Sequence, residues 1–281
     1  MNRLFKLIHM EVYRFRHILA ALMAVTFICQ FGAMIWTVLD AVSARKEAAL
    51  RNETITNGSA FFPGDDLSFA WFIFITQFWF ILPVLITIAV LVLYVFWIWY
   101  RDWFGRDTFI YRLLMLPTPR RHIYLAKLSA ILIFVFSMIS WQLLLLFAAK
   151  IVFHLMVPSQ WEASSPFSDA ISANQAFVVL MPHRFEDFIL YYGLGILGVL
   201  LAFTAVLIER SYRRIGLVYA ALYVAVSIVV FLLPVMVLGV YQHELFFYPS
   251  EIFLIELGTG TVIAILSVWL SFKLLNNKIT V

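Results

Sequence analysis

Long runs of apolar residues alternate with shorter polar stretches along the whole chain. A helix needs about 20 mainly apolar residues to cross the ~30 Å hydrocarbon core of a bilayer. Six runs are long enough, and they lie at residues 17–39, 68–100, 123–155, 188–208, 215–240 and 252–271. The pattern therefore predicts an all-α, polytopic membrane protein, with six transmembrane helices in a single transmembrane domain over residues 1–281.

The second run is longer than a membrane requires. Its 33 residues would span about 50 Å as one helix, at 1.5 Å per residue. We therefore expect this segment to tilt, to break near Pro83, or to project beyond the bilayer.

Residues 1–16 carry an amphipathic pattern of their own. Apolar residues recur at helical spacing from Leu4 to Phe15, and basic residues occupy other positions. This pattern is typical of a helix that lies in the inner interface with its basic side chains near anionic headgroups. A charged flank that only fixes orientation is the alternative. Such a flank does not need apolar periodicity, so the pattern favours the interfacial helix.

The distribution of lysine and arginine indicates the orientation of the chain. With a cytosolic N-terminus, the inner segments hold 15 of the 20 basic residues and the outer segments hold 5. Cytosolic segments of membrane proteins carry such an excess. Both termini are therefore expected in the cytosol, with residues 40–67, 156–187 and 241–251 outside and residues 101–122 in the cytosol.

Composition excludes several classes of protein. The chain is 64% hydrophobic and 13% charged, against about 25% charged in soluble domains. The net charge of +4 is explained by the excess of lysine and arginine in the inner segments. These residues form no soluble basic face that could bind phosphates, so we expect no nucleic-acid partner. The single cysteine, Cys29, cannot form an intrachain disulfide, and redox chemistry is not expected.

The motifs of nucleotide and metal enzymes are missing or out of context. Gly193, Gly195 and Gly198 match the dinucleotide pattern GxGxxG, but that pattern needs a strand before it, and here it lies inside the fourth run. Small residues that let helices approach closely are the preferred interpretation. His243-Glu244 has no second histidine to complete a zinc site, and no P-loop pattern occurs. We expect no enzyme activity, metal or cofactor in this chain itself.

A few polar residues fall within the runs. Gln30, Gln77, Gln142 and Glu256 are the candidate pathway-lining residues, because polar groups at membrane depth are costly and often functional. The alternatives are that the glutamines bridge helices and that Glu256 reaches toward the interface.

The segment between the second and third runs is more elaborate than a connection needs. Residues 101–122 combine basic residues with apolar ones such as Phe104, Phe109 and Ile110, which belong to no run. Basic residues alone would suffice to set topology. We therefore predict a cytosolic element that docks a soluble partner, with part of its apolar face against the inner leaflet.

This architecture resembles the type-2 ABC-transporter permease family over the whole chain. The local pattern runs from an acidic residue through paired leucines, a Leu-Pro pair and basic positions to a lysine that enters the third span. The matching positions are Asp102, Leu113-Leu114, Leu116-Pro117, Arg120-Arg121 and Lys127. The family usually has glutamate where this chain has Asp102.

The resemblance implies that the first cytosolic loop holds a coupling helix, which docks on a separate cytosolic ABC ATPase that binds ATP and Mg. It also implies that two permeases, identical or related, share one pathway, and that residues 241–251 form a short re-entrant segment. The residues assigned to ATPase coupling are Asp102, Arg106, Asp107, Arg112, Leu113, Leu114, Arg120 and Arg121.

The expected function is that of a permease subunit of an ABC exporter in a cell membrane, taken to be the bacterial cytoplasmic membrane. Scarce charge in the spans favours an amphipathic or apolar substrate, such as a peptide antibiotic, a drug or a lipid-like molecule. Membrane lipid is a further expected partner. The alternative is a non-transporting sensor or assembly factor that recruits a cytosolic partner through its first cytosolic loop. An intramembrane enzyme is not favoured, because the sequence offers no paired catalytic groups that can be placed together.

Overall fold

The fold of the described residues is almost entirely helical. The computed structural model describes residues 2–51, 67–104, 119–159, 161–240 and 248–277. The helices in these ranges are α1 Asn2–Arg51, α2 Phe69–Ile75, α3 Gln77–Phe104, α4 Arg121–Met156, α5 Phe167–Ser172, α6 Gln175–Leu180, α7 Phe185–Ser211, α8 Arg213–Val240 and α9 Pro249–Asn277. Two short strands accompany them, β1 Leu67–Ser68 and β2 Glu162–Ala163.

Six of these helices, α1, α3, α4, α7, α8 and α9, are long and apolar enough to cross a membrane. The prediction of an all-α chain with six long apolar helices is confirmed at this level. Six such helices are typical of a multi-pass membrane protein. Helices α4, α7 and α9 begin and end a few residues outside the predicted runs, because polar residues at a helix end continue its backbone hydrogen bonds beyond the apolar stretch.

Helix α1 is longer than the sequence pattern indicates. Residues 2–16, expected as a separate interfacial helix, and residues 17–39 belong to one continuous helix that ends at Arg51. The chain has no proline before residue 63, so no residue in this stretch lacks the backbone N–H that helical hydrogen bonding requires. The amphipathic pattern therefore belongs to the first turns of one long helix.

The second apolar run does break, at Thr76 and not near Pro83. Thr76 leaves the helical conformation at φ −87° and ψ 9°, and its hydroxyl donates to the Phe72 carbonyl at 2.7 Å. Helix α3 then starts at Gln77 and contains Pro83 in its interior. The Thr76 N–H also donates to the Phe72 carbonyl, at 3.0 Å, so the break is confined to this one residue.

The chain divides into two compact units. Unit 1 contains Met1–Tyr13, Leu91–Ile131 and His183–Val281, and unit 2 contains Arg14–Val90 and Leu132–Pro182. In unit 1, helices α7, α8 and α9 contact one another, and Leu197, Leu201 and Ile263 form a small buried core there.

Unit 2 has an aromatic core. Phe69, Phe72 and Phe153 are all buried, and the Phe153 ring lies 5.6 Å from Phe69 and 5.8 Å from Phe72 between centroids. This unit includes part of the predicted outer loop 156–187, where α5, α6 and β2 are found. Strands β1 and β2 pair in parallel, with Leu67 opposite Glu162. The described part of this predicted loop is therefore structured and covers the aromatic core. Its polar composition gave no indication of this packing.

Several predicted elements lie outside the described residues. They include most of the expected coupling helix, with Arg106, Asp107, Arg112, Leu113 and Leu114, and residues 241–247 of the expected re-entrant segment.

Phe153→Ala should destabilise the protein by on the order of 3 kcal/mol, because it leaves a cavity among packed rings. Phe147→Ala on the same helix is the matched control, since the Phe147 side chain is 61% exposed. Thermal unfolding of the purified chain in detergent measures both variants. Equal losses of Tm would contradict the aromatic core described here.

Candidate functional site

Four charged side chains meet inside unit 1 where α1, α3 and α4 come together. They are Glu11 on α1, Arg101 and Asp102 in the last turn of α3, and Lys127 in the second turn of α4; we call this set the charge cluster. The Lys127 side chain is 0% exposed, Asp102 1% and Glu11 2%. Charged side chains are almost never fully buried unless they are paired.

The pairing within the charge cluster is complete for the lysine. The Lys127 Nζ donates to Glu11 Oε1 at 3.0 Å, to the Ile98 carbonyl oxygen at 2.8 Å, and to the Asp102 carboxylate. These three contacts use all three ammonium hydrogens. Arg101 Nη2 donates to the other oxygen of Glu11, Oε2, at 2.8 Å. Glu11 therefore joins α1 to both α3 and α4.

The charge cluster is electrically balanced, with two acids and two bases. Burial of such ions costs several kcal/mol each, and their attraction repays that cost only when the geometry is good. Removal of one partner leaves an uncompensated buried charge, which typically costs about 3–5 kcal/mol. The cluster therefore specifies how these parts of α1, α3 and α4 fit together, because any other arrangement would leave a buried charge without an ionic partner.

Aromatic rings enclose the lysine. The Trp99 ring centroid lies 5.3 Å from Lys127 Nζ, within the range of a cation–π contact. The same ring meets Phe203 of α7 edge-on at 5.5 Å, and Tyr124 contacts Phe203 and Phe272 at 5.5 Å each. These rings connect the surroundings of the charge cluster to α7 and α9 and keep water away from the ions.

Two further polar contacts tie helix ends together nearby. The Tyr100 hydroxyl donates to the Glu209 carboxylate of α7, and the Arg210 guanidinium lies 4.9 Å from the Tyr100 ring centroid. Arg120, just before α4, donates from Nη1 to the Leu275 carbonyl of α9 at 2.8 Å. A cation at a helix C-terminus also interacts favourably with the helix dipole.

Of the residues assigned to ATPase coupling, only Asp102, Arg120 and Arg121 are described. Asp102 is buried against Lys127, so it is not part of an exposed docking surface, and any role in coupling would be positional. Arg120 is half-buried against α9, and Arg121 is exposed at the start of α4.

Sequence reasoning missed the roles of Glu11 and Arg101. A signal for Glu11 was present, because it shares a helical face with the apolar residues Leu4, Ile8 and Phe15. A carboxylate on an apolar stripe needs a cationic partner. The partner could not be found from spacing, since Lys127 is 116 residues away in the chain.

The candidate pathway residues are divided between the two units. In unit 2, Gln30 and Gln142 are buried, and within the described part of the chain the Gln30 amide and the Gln142 Nε2 have no hydrogen-bond partner. Gln77 begins α3 and is half-buried. Glu256 is in unit 1, on α9, and lines an apolar groove formed with α7 and α8.

Of the three glycines of the GxGxxG pattern on α7, Gly193 lines that groove and Gly195 and Gly198 do not. A Cβ atom at Gly193, Gly195 or Gly198 would meet no atom within 4 Å among the described residues. These three glycines therefore do not mediate close helix approach within the described chain, and packing of this run against a second chain stays a prediction. The helices are instead bridged by hydroxyl groups: Thr204 Oγ1 lies 3.0 Å from Ser271 Oγ, and Tyr223 Oη lies 2.7 Å from Ser267 Oγ.

Comparison of the chain with protein-family models, with curated proteins and with solved structures finds no match. Across the described ranges, no group of three or more His, Cys, Asp or Glu side chains is arranged to hold a metal ion.

Lys127→Met should lower the free energy of unfolding by about 3–5 kcal/mol, because the two buried carboxylates of Glu11 and Asp102 would keep only the partly exposed Arg101 as a cation. Adding Asp102→Asn should recover part of that loss, since it removes the excess negative charge. The matched control is Lys273→Met, because Lys273 is exposed on α9. Thermal unfolding in detergent is the measurement, and a Lys127→Met variant as stable as the control would refute the buried cluster.

Proposed function

We propose that the chain is the permease subunit of an ABC exporter, which moves an amphipathic or apolar substrate with ATP hydrolysed by a separate cytosolic ATPase. The observation that carries this proposal is the charge cluster. It joins the end of α3 to the start of α4, the two helices that flank residues 105–118.

The cluster supports this function because a coupling element needs firm attachment to the helices that it moves. Asp102 and Lys127, the first and last residues of the pattern shared with the permease family, are in direct contact. Glu11 adds α1 to the same pair. A force on the segment between α3 and α4 would therefore move three helix ends together and would not be lost in local bending.

In the proposed cycle, closure of two ATPase subunits on ATP and Mg displaces the coupling segments of two permeases. The permeases are identical or related chains that share one pathway. The displacement passes through the charge cluster into α1, α3 and α4 and switches access between the two sides of the membrane. Binding-driven switching of this kind needs only that the ATPase bind one conformation more tightly than the other.

The double reversal Arg106→Glu/Arg112→Glu should reduce copurification of the ABC ATPase encoded nearest to this chain by about tenfold or more, the loss expected from broken interface charge pairs. Arg120→Glu is tested separately, because Arg120 also binds the Leu275 carbonyl. The control is Lys6→Glu/Lys273→Glu, which changes the net charge equally at two exposed positions. Undiminished copurification and ATPase activity in a variant with all three reversals would contradict docking at this segment.

Two permeases that share a pathway should cross-link through exposed positions of α1 and α3. After Cys29→Ser, single cysteines at Ile28, Trp36 and Phe78, which are 67%, 78% and 63% exposed, test the faces of these helices. A cysteine at the buried Met34 is the matched negative control. Linked pairs of chains in membranes are the expected result. If no position along 26–36 or 76–87 links two chains while the complex stays active, the shared pathway is wrong and a non-transporting sensor is favoured.

A further inference from the structure

Unit 1 contains an apolar groove that the charge cluster does not explain. It lies between the N-terminal halves of α7 and α9 and Phe231 of α8, and we call it the Glu256 groove. Its lining includes Leu190, Gly193, Leu197 and Gly260. The groove lies near the opposite end of α7 from Glu209: Leu197 is 12 residues from it, which is about 18 Å along a helix.

Glu256 is the one ionisable side chain that lines this groove. It is half-buried, and its carboxylate has no hydrogen-bond or ion-pair partner within the described residues. Neither Glu186 and Asp187, which begin α7, nor Glu251 in the first turn of α9 lines the groove. An isolated carboxylate among apolar side chains is costly, so a cationic ligand group would be favoured there.

The shape of the groove suits an apolar chain. Gly193 leaves open space where any other residue would place a side chain. A Cβ at Gly260 would lie 3.3 Å from the Phe231 ring, so the small residues set the width of the groove. From Glu256 to Ala264, the last lining residue of α9, the groove extends about 12 Å along the helix axis.

We propose that the Glu256 groove binds an amphipathic cation. Its ammonium group pairs with the Glu256 carboxylate, and its alkyl chain lies along Gly193 and Gly260. Charge complementarity selects this class of ligand, because an uncharged chain would leave the carboxylate unpaired. Binding itself does not depend on the transport proposal. Only the further statement that the bound molecule is the transported one rests on the proposed function.

The test uses the full chain in phosphatidylcholine nanodiscs, without an ATPase. The probe is dodecylamine with a photoactivatable diazirine on its alkyl chain; the amine is protonated at pH 7, as a lysine amine is. Labelled peptides are identified by mass spectrometry, and dodecylamine and dodecanol serve as charged and neutral competitors. We expect labelling within 189–197 and 253–264, competition by dodecylamine, and weaker competition by dodecanol.

Matched variants separate charge from shape. Glu256→Gln should weaken labelling about tenfold, as expected for the loss of one charge-assisted hydrogen bond, whereas Glu251→Gln on the same helix should not. Gly193→Leu should fill the groove and block labelling. Gly195→Leu is its control, because Gly195 also faces open space but does not line the groove. Each variant is first checked for an unchanged Tm, and the isosteric Glu256→Gln keeps the test decisive if a leucine variant unfolds.

Two results would overturn the proposal. The first is equal competition by dodecanol together with full labelling of Glu256→Gln, which would mean that the groove holds a bilayer acyl chain. The second is no labelling of α7 or α9 in the unmodified chain. Cationic binding combined with failed ATPase copurification would keep this site and refute the exporter. Successful ATPase copurification without cationic binding would refute this site and leave the exporter proposal standing.

Discussion

The buried ammonium of Lys127 is the interaction on which the described fold of unit 1 depends most. It is surrounded by acceptors from α1 and α3, and its carboxylate partners are themselves buried. Separation of any of these helix ends would leave an ion in an apolar environment, at a cost of several kcal/mol. Helix packing in a membrane otherwise relies on contacts that lipid can partly replace. The charge cluster therefore specifies the arrangement in a way that apolar packing alone does not.

This constraint gives the proposed coupling a physical basis. The segment between α3 and α4 is predicted to present a docking surface, and the described residues at its two ends are engaged inside the protein. Asp102 pairs with Lys127, and Arg120 binds the end of α9. A partner that displaced the loop would act on α1, α3, α4 and α9 through these contacts. The Glu256 groove lies toward the other end of α7 from Glu209. In unit 1, the proposed ligand site and the contacts proposed to transmit motion are therefore separated along this helix.

A local pattern can have more than one tertiary use. The glycines of α7 match a helix-packing pattern, but they meet open space within the described chain, and the hydroxyl groups of Thr204, Ser267 and Tyr223 bridge the helices. A break near Pro83 was one of three expectations for the second run, and the structure places the break at Thr76. A glycine has the same local preferences in either role, and only its neighbours from distant segments select one.

The sequence by itself determined that the chain is helical and membrane-spanning, and where most long helices lie. Hydrophobic length is a local property, and water cannot solvate so much apolar surface. The tertiary structure alone decided which charges are partners and which polar residues line a groove. Glu11 and Lys127 are separated by 116 residues, and no spacing rule links them. Their pairing follows from the cost of burying each charge alone, and that cost arises only once the helices have assembled.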